Sequence, residues 1–111
     1  MKGTGEGYLL YCEVVHKIRG RIRIKSRALK CLGKLKSTVE EQLKQVRYIK
    51  KAEISSVTGT VVIYFDDVNV TDEILISLLQ NTLNVYLVEI YKNESRINKK
   101  NTVIELSLIH I

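Results

Sequence analysis

The chain has 111 residues, 45% of them hydrophobic and 27% charged, with no proline, no tryptophan and a formal net charge of +6. That is one domain's length, too apolar for a disordered tail and too short for a multidomain enzyme. The only cysteines, Cys12 and Cys31, stand behind no secretory signal, which fits a reducing, cytoplasmic setting, and no apolar run approaches the roughly 20 residues of a membrane span.

Residues 1–7 hold three glycines and no apolar pattern, and read as a flexible leader. Two strands follow, joined or bent around Gly20: residues 8–15, rich in aromatic and β-branched side chains, and residues 19–28. The second alternates, with Ile22, Ile24, Ser26 and Ala28 on one side and Arg21, Arg23, Lys25 and Arg27 on the other. Leu32, Leu35, Val39, Leu43 and Val46 recur at three- and four-residue spacing, which puts them on one helix face. Ser37 with Glu40 and Thr38 with Glu41 are capping-box pairs, so this helix is expected to begin as late as Thr38.

Residues 49–57 and 60–65 are strands, and Thr58-Gly59 between them makes a hairpin turn. Asp66-Asp67 closes the hairpin. Thr71 is placed to cap a second helix, with Asp72 and Glu73 at its positive end and Ile74, Leu75, Leu78, Leu79 and Leu83 as its apolar face. Residues 85–91 read as a final strand. The order β-α-β-β-α-β predicts an α+β, ferredoxin-like sandwich: a four-stranded antiparallel sheet with two helices on one face, spanning residues 8–91.

Residues 92–105 are polar, with Lys92, Arg96, Lys99 and Lys100 against Glu94 and Glu105, and read as a basic linker leaving the domain. Residues 106–111, Leu-Ser-Leu-Ile-His-Ile, are the translation of CTGTCTCTTATACACATC, the mosaic end ligated by a library-preparation transposase. They read as a sequencing-adapter scar, so the chain is expected to be a fragment whose natural C-terminus is missing.

Chemistry concentrates in the basic residues. Positions 17–36 carry nine of the 18 Lys and Arg and no acid. Side chains alternate along a strand, so Arg21, Arg23, Lys25 and Arg27 project from one face about 7 Å apart, on the side the helices leave open. Repulsion at that spacing is only about 0.6 kcal/mol in water, so a merely solvated face is one reading. The other is a surface for an anion: phosphate, nucleic acid, acidic lipid or an acidic partner segment. Sequence-specific RNA binding is disfavoured, because the third strand, Thr60-Val61-Val62-Ile63-Tyr64-Phe65, lacks the stacking aromatics of an RNA-recognition sheet.

Catalysis finds no support. No Ser or Cys sits in a nucleophile motif, no glycine-rich loop cradles phosphate, and His16 is the one histidine outside the terminal hexapeptide. Cys12 and Cys31 form no CxxC pair, so both read as free structural thiols, with Cys31, before the first helix, a weak metal candidate. No cofactor is implied.

Val14-Val15-His16-Lys17-Ile18-Arg19-Gly20-Arg21-Ile22-Arg23-Ile24 resembles the opening of heavy-metal-associated-like domains that lack the cysteine motif, a Val-Val-His followed by Pro-Gly-Arg-hydrophobic-Arg. Val57-Thr58-Gly59-Thr60-Val61-Val62-Ile63-Tyr64-Phe65-Asp66 is similar to the family's second mark, a Thr-Gly-Ser-hydrophobic run ending in Tyr-Asp. Arg19 departs from the pattern by replacing the proline. The resemblance covers about residues 12–91 and implies a ferredoxin-like domain found at the cytosolic N-terminus of heavy-metal P-type ATPases, or as small accessory proteins of metal, often iron, handling. Chelating relatives use a Cys-x-x-Cys loop before the first helix; its counterpart here, residues 26–34, holds Cys31 alone, so chelation is not carried over. What the resemblance implies is a regulatory or docking role, with Arg21 and Arg23 at matched family positions and the rest of a transporter as partner; an acidic partner is the expectation from the basic stripe alone.

Overall fold

The computed structural model describes residues 9–66 and 69–97. The first strands form a hairpin, β1 (Cys12–Ile18) and β2 (Arg21–Ser26), turned by Arg19 and Gly20. Gly20 adopts φ +74°, and a Cβ there would stand 3.3 Å from the Phe65 carbonyl, so both conformation and contact call for glycine. Two short 3-10 turns, Arg27–Cys31 and Gly33–Leu35, lead into helix α1 (Lys36–Lys44). A second hairpin follows, β3 (Ile49–Ser55) and β4 (Thr60–Phe65), and then helix α2 (Asp72–Val85). A third helix, α3 (Leu87–Ile97), leaves α2 at an angle of 78°.

The strands pair antiparallel in the order β1-β2-β4-β3. Ile22 and Ile24 of β2, Ala52 and Ile54 of β3 and Val61, Ile63 and Phe65 of β4 turn to one face. There they meet Val39 and Leu43 of α1, Leu75, Leu79 and Leu83 of α2 and Ile90 of α3 in a single core. This is the expected α+β, ferredoxin-like sandwich, with the other sheet face open.

One strand position is filled differently from the expectation. Residues 85–91 are not a strand: Val85 ends α2 and residues 87–91 begin α3, while the sheet edge beside β2 is taken by β1. The β-branched and aromatic content of this stretch suggested a strand, but Leu83 and Ile90 are fully buried while Val85 and Val88 are more than two-thirds exposed. That is a helical spacing and not an alternation. Nor do residues 92–97 leave as a linker; they continue α3.

Three further expectations shift. Residues 9 and 10 are helical, and the first strand starts only at Cys12. Leu9 is fully buried and its carbonyl accepts from Ser26 Oγ at 3.1 Å, while the Leu10 carbonyl accepts from Gln80 Nε2 at 2.9 Å. The capping-box pairs do not form, because α1 already begins at Lys36, with Leu35 at its cap and no side-chain cap bond. Glu40 instead accepts the backbone N–H of Ile54 at 2.7 Å, tying α1 to the edge strand β3. On α2, Thr71 is the cap, accepting from the Ile74 N–H at 3.2 Å, although Ile74 itself is 40% exposed and not part of the inner face.

The leader, the remainder of the linker and the terminal hexapeptide lie outside the described residues. Among those described, no single helix is long and apolar enough to cross a membrane; α2 and α3 pass by length and composition only as a bent pair, and their Leu75, Leu79, Leu83 and Ile90 are spent on the core.

Candidate functional site

The segment between β2 and α1, where chelating relatives carry their thiol pair, is packed inward here. Ala28, Leu29, Cys31 and Leu32 are buried, and Gly33 turns the chain at φ +55°. Helix α3 closes over it: Asn93 Nδ2 donates to the Cys31 carbonyl at 2.7 Å, and Glu94 pairs with Arg27 Nε at 2.6 Å. Burial pushes the Cys31 thiol pKa up, and the Glu94 carboxylate pushes it further, against the smaller pull of Arg27 and Lys30. Cys12 lies on β1 opposite Ser26, donates to the Leu10 carbonyl at 3.4 Å, and is raised by burial to about 11. Soft-metal coordination needs thiolates, and the burial that raises both thiols makes their proton release to a metal more costly than for an exposed cysteine. Among the described residues no three His, Cys, Asp or Glu side chains come together as metal ligands. The side chains present do not fit a chelating loop, and Cys31 remains a single buried thiol.

The open sheet face is ordered by register. Across the strands β1, β2, β4 and β3 it presents three rows: Glu13, Lys25, Thr60 and Ser55; His16, Arg23, Val62 and Glu53; Ile18, Arg21, Tyr64 and Lys51. Bulges at Val15 and Lys50 reset the alternation of the two outer strands, and this is why His16 and Lys51 share the face. Arg23 and Lys25 are exposed, and Arg21 is half-buried. The Arg21 guanidinium carbon and Lys51 Nζ each lie 5.7 Å from the centre of the Tyr64 ring, and Arg21 Nε is buried with no hydrogen-bond partner. Lys51 also pairs with Glu53 at 3.1 Å, which raises its pKa.

Three of the four candidate anion-binding residues, Arg21, Arg23 and Lys25, thus stand together on one strand. Arg27 does not join them. β2 ends at Ser26, whose N–H is taken by the Gly59 carbonyl at 2.9 Å, and Arg27 turns away into the 3-10 segment to meet Glu94. Sequence reasoning missed Lys51, Glu53 and Glu13 as members of the face. Their alternation was masked by the bulges, and only strand order shows that β1 lies beside the basic strand and β3 beyond β4 on its other side.

Both family marks now have structural places, the first along the β1-β2 hairpin and the second along the turn into β4 and the strand itself. A profile of the family described as Heavy metal associated domain 2 matches residues 4–109, nearly the whole chain. The chain belongs to that family. Heavy-metal-associated domains are non-catalytic modules of metal handling, and this member keeps the fold without the paired thiols. No curated protein and no solved structure matches the chain.

Proposed function

We propose that this heavy-metal-associated domain is a non-catalytic, cytoplasmic docking or regulatory domain of a heavy-metal transport system, iron being among the candidate metals. In this reading it is the N-terminal part of a P-type metal-transporting ATPase or a small accessory protein, and the metal is cargo of the parent system. One observation carries the reading: the segment at the family's metal loop holds a single cysteine, buried and covered by α3, while the charged face of the sheet is open. A domain built in this way acts through surface contacts.

Calorimetric titration of the reduced full chain with Cu(I), Zn(II) and Fe(II) tests this, the expected result being no stoichiometric binding. One metal bound per chain, lost in Cys31→Ser, overturns it. The parentage is tested separately by the genomic sequence downstream of Glu105, where a stop codon soon after that position removes the ATPase version.

A second reading, an anion-binding module for nucleic acid or acidic lipid, is favoured by one specific observation. Among the described residues, no carboxylate pairs with Arg23 or Lys25. Retention on oligonucleotides or acidic vesicles at low salt, falling steeply as salt rises, is its expected signature.

A further inference from the structure

We infer that the open sheet face receives an extended acidic polypeptide segment laid along β2, with its carboxylates on Arg21, Arg23 and Lys25. The inference rests on the docking reading above and names the chemistry of the partner.

Spacing is the first argument. Alternate residues of a strand repeat every 6.6–6.8 Å or so, the same in a bound segment as in β2, so acids at every second position meet the three cations in register. Charge distribution is the second. Glu13 on β1 lies beside the cationic line, and Glu53 on β3, paired with Lys51, bounds it on the other side across Val62 of β4. A single extended chain fits between them. A membrane surface, or a nucleic acid with phosphates spread across the sheet, brings further negative charge against both acids.

The state of Tyr64 is the third. It is the one aromatic residue in the three rows, and the Arg21 guanidinium and Lys51 ammonium already lie against its ring at 5.7 Å. A stacking nucleobase must displace them, whereas a carboxylate does not. Arg21 holds the ring and no carboxylate among the described residues, so its outer guanidinium nitrogens remain to take an acid in fork geometry. Beside Arg23, a hollow of about 380 Å³ walled by Glu53, Ser55, Thr58, Thr60 and Val62 offers hydroxyl groups and room for one uncharged side chain of the segment, such as threonine.

The test uses the full chain and a fluorescein-labelled peptide of alternating Glu and Thr, followed by anisotropy. Binding at about 20 mM salt is expected, weakening at least about tenfold by about 200 mM. The double variant Arg23→Glu, Lys25→Glu, both exposed, should lose about tenfold or more in affinity. Lys36→Glu with Lys44→Glu, the same charge change on α1 behind the sheet, should leave binding within about twofold at that salt. Circular dichroism checks that both variants fold.

Equal losses in the two double variants mean attraction to net charge only and overturn the inference. So does absence of peptide binding, or tighter binding of single-stranded oligothymidylate or phosphatidylglycerol vesicles of equal charge. Metal titration of the same sample separates the two levels: stoichiometric metal removes the docking reading, while loss of peptide binding without metal removes only the acidic partner.

Discussion

Asn93 donates its amide N–H to the carbonyl of Cys31 at 2.7 Å, joining the last helix to the segment that in chelating relatives presents metal to solvent. Beside it, Glu94 holds Arg27 at 2.6 Å, and its own side chain is largely buried while that of Arg27 is 40% exposed. The clamp is made of one neutral bond to backbone and one half-screened ion pair. Its strength is modest and its effect is local.

Replacing Asn93 with Ala removes the donor and leaves the Cys31 carbonyl unpaired, at a cost of about 1–1.5 kcal/mol. If the Cys31 thiol reacts through local opening, that loss speeds its labelling by a maleimide about tenfold, with Cys12 as internal reference. Mass-resolved labelling of the two cysteines checks it; an equal acceleration at both sites would point to global unfolding.

Burial of Cys12 gives stability a dependence on alkaline pH. Its thiol titrates at about 11 in the folded chain against an ordinary 9.0, so the folded state holds its proton where the unfolded state has lost it. The contribution is fully present below pH 9 and falls away as pH rises towards 11, by about 2–3 kcal/mol in all. Lysine and tyrosine side chains in general ionise at about pH 10 in proteins. The measurement is therefore the difference in urea midpoint between the parent chain and Cys12→Val, which should change over this interval and be flat from pH 7 to 8.

Glu40 covers an outward-facing N–H of the edge strand β3 by accepting from Ile54 at 2.7 Å. Glu40→Ala should cost about 1–3 kcal/mol in chemical denaturation, the scale for a part-buried donor losing a charged partner. It should also speed hydrogen exchange at the Ile54 amide more than at the β4 amides. Uniform acceleration across the sheet would argue against a local role.

At Gly59, φ is +70° and an added Cβ would lie 2.9 Å from Lys30 Cγ and 3.3 Å from the Ser26 carbonyl. Lysine can move; the backbone carbonyl, beside the bond that closes β2 onto the turn, cannot do so cheaply. Gly59→Ala is therefore expected to destabilise by about 1–3 kcal/mol, and Gly59→Ala with Lys30→Ala to recover only part of that. Full recovery would place the whole cost on the lysine.

Local chemistry was enough to read β4, whose alternation runs from Thr60 to Phe65 as expected, and the cap at Thr71, whose hydroxyl has its partner three residues on. The basic line on β2 was legible for the same reason. Arg27 was not, since the end of the strand is decided by Ser26 reaching Leu9 and Gly59, contacts across 17 and 33 residues. Residues 85–91 failed as a strand because the β-propensity of Val, Tyr and Ile is a preference for a half-buried sheet position, and β1 already holds that position. The clamp from Asn93 and Glu94 gave no local signal at all, being a meeting of two polar stretches that are unremarkable alone.

Placing the outermost strand at the beginning of the sheet's sequence and not after α2 alters the order in which the molecule can be assembled. The four strands among the described residues are contained between Cys12 and Phe65, as two sequential hairpins whose central strands then pair. During synthesis the whole sheet is available before α2 and α3 have left the ribosome, and contacts short in sequence form quickly. The basic strand β2 then has its outer partner β1 early, instead of standing as a bare edge until the last element arrives, and the late helices need only close the buried side.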